Sequence, residues 1–143
     1  MLHDNNSRNN IRLLLLSLIK IIIGGAIYYT LETSTRGVSH WPMFILGGLC
    51  FLSCGLINTW LSDSVPLLAK MVLCMIVITV LEFVTGIIVN GLLGWNIWDY
   101  SRMPLHVLGQ ICVPFMFLWY VISYPALLLN RVFDYMMGKR QFT

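Results

Sequence analysis

LLAKMVLCMIVITVLEFVTGIIVNGLL, residues 67–93, decides the fold class. Apolar positions run through it continuously and do not alternate, so it has no strand period, and only Lys70 and Glu82 interrupt it with charge. A hydrocarbon core of ~30 Å takes about 20 helical residues to cross. A helix also satisfies its own backbone hydrogen bonds in lipid, which an open strand does not. The stretch reads as a transmembrane helix.

Three more runs of the same kind lie around it, giving spans of about 11–30, 41–61, 67–94 and 107–130. Composition agrees: 58% of residues are hydrophobic and 10% charged, where a soluble domain carries about 25% charged. The expected architecture is all-α, a polytopic membrane protein with a bundle of four transmembrane helices. Residues 11–132 form the transmembrane domain, between a tail at 1–10 and an interfacial segment at 133–143. The start MLHDNNSRNN looks like the first part of a signal peptide, but no small-residue cleavage site follows the long apolar run. It reads as a retained first helix.

Charge gives the orientation. Arg8, Arg12, Lys70, Arg131, Lys139 and Arg140 fall at one set of helix ends, and only Arg36 and Arg102 at the other. Basic residues stay on the cytoplasmic side, so both termini are expected inside (N-in/C-in), with both tails cytoplasmic and loops 30–40 and 94–106 outside together. Trp41, Trp95, Trp98 and Tyr100 are expected as an aromatic belt at the outer interface. The net charge of +3 is then an orientation signal and not a nucleic-acid footprint. Ser39 is placed to cap the second helix, with Pro42 in its first turn. Pro114 and Pro125 predict kinks in the fourth. Cys50, Cys54, Cys74 and Cys112 all fall inside apolar runs and read as small hydrophobes, with neither disulfide nor zinc spacing.

Polar chemistry inside the membrane is the functional signal. Lys20 and Glu82 sit near mid-span, where a charge costs at least ~2.5 kcal/mol. They can form an ion pair, or Lys20 can snorkel to the headgroups on its flexible stem. Lys20, Gly24, Tyr28 and Glu32 follow an i, i+4 series, as do Glu82, Gly86, Asn90 and Gly94. These stripes either pack helices closely or line a cavity opening beneath the loops. The loops supply Glu32, Arg36, Ser39, His40 and Trp41 on one side, and Trp98, Asp99, Tyr100, Ser101 and His106 on the other. A convergent outer site is the preferred expectation.

The loop residues carry a resemblance. RGVSHWPMFILGGLCF (36–51) and LEFVTGIIVNGLLGWNIWDYSRMPLHVLGQIC (81–112) resemble the small bacterial membrane proteins labelled ABC-transporter type IV, or CmpB-like. The similarity runs from about Tyr28 to Tyr124. It implies a multi-pass protein of the bacterial plasma membrane and a transport-related role. Glu32, Arg36, Gly37, Ser39, His40, Trp41 and Met43 match the first family motif. Glu82, Gly86, Trp98, Asp99, Tyr100, Ser101, Pro104, Gly109 and Cys112 match the second, with His106 where the pattern is expected to carry Asn.

No Gly-rich Lys-Ser/Thr phosphate loop is present, so the chain is not the ATPase. The leading expectation is a small transport-associated membrane subunit. Its partners are the lipid bilayer and further copies or other membrane subunits, because four helices enclose little volume. No cofactor or metal is expected. One alternative is a scaffold or assembly partner in which the motifs close the bundle. Another is a membrane enzyme or lipid-headgroup binder using His40 or Asp99 for proton transfer and Arg36 for an anion. The sequence offers no catalytic constellation for the enzyme, since no nucleophile with a base and no paired carboxylates emerge.

Overall fold

A computed structural model describes residues 2–138, the side chains of 2–7 excepted. Lys139 and Arg140 of the charge asymmetry, with the rest of 139–143, lie outside the described residues. The described chain is helical throughout, apart from its connections. Helix α1 spans Leu2–Arg36, α2 Trp41–Trp60, α3 Leu67–Gly86 and α4 Val113–Met136. The polar start at 2–10 is thus the first part of α1. A π-helical segment, Ile87–Leu92, continues α3, and a two-residue antiparallel pair, β1 (His106–Val107) and β2 (Ile111–Cys112), precedes α4.

Four stretches, Arg8–Arg36, Trp41–Trp60, Leu67–Leu92 and Val113–Met136, are long and apolar enough to cross a membrane. Large apolar side chains such as Leu14, Ile22, Val80, Phe117 and Leu128 remain uncovered along them. In water such faces would be a liability, whereas in lipid they are the solvated surface. The architecture is that of a multi-pass membrane protein.

The chain divides into two compact units, Met1–Leu52 and Ser53–Thr143. In the first, α1 and the start of α2 approach through paired glycines. A Cβ at Gly24 would collide with Phe51, one at Gly47 with Tyr28, and one at Gly48 with the backbone of Ile21. Small residues let backbones meet where no hydrophobic drive separates helix from lipid. The turn between the helices uses Gly37 at φ +79°. Its N–H donates to the Thr33 carbonyl at 2.8 Å and closes α1, as a left-handed residue past a helix end does. Ser39 does not cap α2 as expected. The helix begins two residues later, at Trp41, and the Ser39 hydroxyl is spent on Glu32.

In the second unit α3 and α4 pack along one another. Lys70 folds back, buried, onto the preceding loop, with its Nζ 3.5 Å from the Leu61 carbonyl and 4.0 Å from Asp63. The fourth span begins at Val113 and not at 107. Leu105, Leu108 and Gly109 all adopt positive φ, which ends any helix and folds 106–112 into the short hairpin. Pro114 therefore lies in the first turn of α4, where its missing donor costs nothing, and the expected kink there is absent. Pro125 does stand inside the helix and withdraws a donor from the Val121 carbonyl.

Candidate functional site

Glu82 lies on α3 ten residues before Leu92, which at the helical rise puts it about 15 Å along the axis from that end of the span. It is 3% exposed. Its two oxygens are held from different places. The Tyr100 hydroxyl, from the α3–α4 connection, donates to Oε1 at 3.1 Å, and Trp119 Nε1, from α4, donates to Oε2 at 2.7 Å. Phe115 lies between these donors in the aromatic cluster, stacked on Tyr100 with ring centroids 4.5 Å apart and tilted against Trp119 at 6.1 Å. Apolar rings around a carboxylate strengthen its hydrogen bonds by lowering the local dielectric. The Ser123 hydroxyl donates to the Trp119 carbonyl at 2.7 Å, one turn further along α4.

Asn90 organises the connection. Its amide nitrogen donates to the Trp98 carbonyl at 3.0 Å and to Gln110 Oε1 at 2.8 Å, while its oxygen accepts the Ile97 N–H at 2.7 Å. The π-helical segment places it. Its hydrogen bonds include that from Leu93 N–H to the Ile88 carbonyl at 2.9 Å. This wider turn carries Asn90 off the ideal i, i+4 line from Glu82 and Gly86. Trp98 Nε1 donates to the Gln110 carbonyl at 3.0 Å, so Trp98, Asn90 and Gln110 form a closed set of bonds. A Cβ at Gly86 would strike Gln110 and approach Trp98, and the bare glycine lets this set sit directly on α3.

Further out, Tyr100 N–H donates to the Gly109 carbonyl at 2.8 Å. Gly109 has φ +67°, and a Cβ there would fall 2.6 Å from both Asp99 Oδ1 and Ser101 Oγ. Asp99 accepts from the Ser101 hydroxyl at 2.6 Å and the Ser101 N–H at 2.8 Å. These two bonds hold the Asp99 carboxyl below the usual carboxylate range, the hydroxyl first; burial opposes them weakly, and His106 and Arg102 add a favourable field. Gly109 N–H donates to His106 Nδ1 at 3.3 Å.

The first unit holds a smaller cluster. Glu32, buried at the end of α1, accepts from Ser39 Oγ at 2.6 Å on one oxygen and pairs with Arg36 Nη1 at 3.3 Å on the other. His40 and Trp41 beside it are exposed. Lys20 is buried in this unit.

Of the sequence-predicted residues, Glu82, Asn90, Trp98, Asp99, Tyr100, Ser101 and His106 are linked through one connected region of the second unit, and Glu32, Arg36 and Ser39 through another in the first. Trp98 and Tyr100, expected at the outer interface, do not present their rings to the surroundings. Both are buried, because each polar tip has a partner inside the fold. Gln110 and Trp119 were missed as site residues, although Gln110 stands inside the quoted GQIC. Trp119 hides in an apolar run, but Trp119, Ser123, Asn130 and Asp134 fall at helical spacing on one buried face of α4, a readable signal.

A family model described as "Putative ABC-transporter type IV" matches residues 12–139. The chain belongs to this family. The match takes in the first span from residue 12 onward, the other three spans and both polar clusters, so the Glu82 and Glu32 networks lie within the region that the family model covers. No curated protein and no solved structure matches the chain.

Proposed function

We propose that the chain is a small transport-associated subunit of a bacterial plasma membrane, with both termini inside, that works without an ATPase of its own. In this reading Glu82 and the α3–α4 connection form the working site. The observation that carries it is the Tyr100–Glu82 hydrogen bond, which ties an ionisable group deep in an apolar span to the segment leading out of the membrane. Intramembrane ionisable residues mark ion and substrate pathways.

The chemistry supports proton or cation coupling. Indole N–H is a donor only, so Oε2 keeps its lone pair toward Trp119 whatever the charge of Glu82. A proton entering the site goes to Oε1, where the Tyr100 hydroxyl can turn from donor to acceptor. The site can thus change charge without losing either neighbour. Reconstitution tests the reading: proton uptake into proteoliposomes holding a pH-sensitive dye, driven by a potassium-valinomycin potential, should fall to the empty-vesicle rate in Glu82→Gln. Equal rates in Glu82→Gln and the wild type would remove Glu82 from the pathway.

A second reading, a scaffold that closes the α3–α4 end and binds no solute, is favoured by Asn90, which spends both donors and its acceptor on the connection. It predicts that Asn90→Ala lowers the melting temperature in detergent while the wild type shows no flux above empty vesicles.

A further inference from the structure

Leu105 and Leu108 break two rules at once. Both sit at left-handed φ, +53° and +51°. Large L side chains rarely adopt that conformation, and elsewhere the same connection gives it to Gly94, Asn96 and Gly109. Both also point away from the protein, at 76% and 69% exposed, with Val107 between them half exposed. Neither leucine side chain contributes to the core of its own unit, so burial of these side chains does not offset the strained turn. A turn that faced water would carry glycine or asparagine there at lower cost.

We infer that this hairpin is a membrane contact, and that the apolar edge formed by Leu105, Val107 and Leu108 enters the leaflet at the α3–α4 end of the spans. Continuity decides the occupant. The hairpin runs through β2 directly into α4, and the first uncovered apolar side chains of that helix, Val113 and Phe117, belong to the face a spanning helix turns to lipid. The leucines extend that surface past the helix end, with no Asp, Glu, Lys or Arg between Leu105 and Val113. Arg102, exposed three residues before Leu105, supplies a cation at the polar edge, where it meets lipid phosphate as snorkelling side chains do. Trp95, also uncovered, marks the same interface from the other end of the connection. The contact is with the bilayer surface and is independent of what Glu82 carries.

Depth-resolved quenching tests it. Leu105→Cys and Leu108→Cys are labelled with a polarity-sensitive fluorophore in proteoliposomes of phosphatidylcholine and phosphatidylglycerol, with unmutated protein measuring background from the four native cysteines. The expected result at both sites is blue-shifted emission, loss of iodide quenching relative to the free dye adduct, and strong quenching by lipids carrying a nitroxide near the headgroup. Iodide quenching equal to that of the free adduct would place the hairpin in water and overturn the inference. Protection from iodide without quenching by nitroxide lipid would overturn it too, since the two leucine positions would then be covered by protein, a second copy or another subunit.

Discussion

Each unit buries a glutamate, and the two are held in opposite ways. Glu32 takes its partners from its own neighbourhood, Arg36 four residues away and Ser39 seven, at the end of a helix where Arg36 is still 38% exposed. The Glu82 bonds to Tyr100 and Trp119 reach 18 and 37 residues along the chain, deep inside a span. The first arrangement is a local closure of the α1–α2 turn. The second is a tertiary clamp that joins α3, the connection and α4, and the cost of breaking it falls on three elements together.

That difference orders the expected effects. Glu82→Ala has the largest, because it removes two buried charge-assisted bonds at once, from the Tyr100 hydroxyl and the Trp119 N–H, at ~1–3 kcal/mol each. A thermal melt in detergent should show a fall of several degrees, with faster proteolysis of the α3–α4 connection. Gly86→Ala comes next: the added methyl meets Gln110 and Trp98, and overpacking of this kind costs about 1–3 kcal/mol. Its melt should fall while α1 and α2 keep their protection in hydrogen exchange. Glu32→Gln should stay within ~1 kcal/mol of the wild type, since partly exposed pairs of this type contribute little.

The smallest effect is a pH response at Asp99. The Ser101 bonds lower its carboxyl relative to the unfolded chain, so the folded state binds the proton less tightly than the unfolded state. The stability they add is present above the unfolded aspartate range and is lost as pH falls through the lower, folded value. Amide exchange at Ser101 should accelerate in acid below the usual aspartate range, and Asp99→Asn should remove that acid dependence.

The four helices were legible because hydropathy alone distinguishes a run such as 67–93 from anything soluble. The polar stripe was legible only in part: Glu82 and Gly86 stand on one helical line, but the π-helical segment carries Asn90 off it and Gly94 lies past the helix at φ +66°. The hairpin was not, because VLGQIC at 107–112 is nearly as apolar as the helix it precedes. Hydropathy does not register left-handed φ at Leu105 and Leu108. The partners of Glu82 were hidden for a related reason. A tyrosine in WDYS reads as an interfacial anchor and Trp119 stands unmarked inside an apolar run, and only the fold shows that both polar tips converge on one carboxylate.

A double-mutant cycle between Glu82 and Tyr100 tests that convergence most directly. Unfolding free energies would be measured for the wild type, Glu82→Ala, Tyr100→Phe and the double variant in one detergent. The clamp predicts a coupling of ~1–3 kcal/mol, with Tyr100→Phe costing far less once Glu82 is gone. Additivity within ~0.5 kcal/mol would mean that the two side chains do not act on one another, and would contradict the clamp.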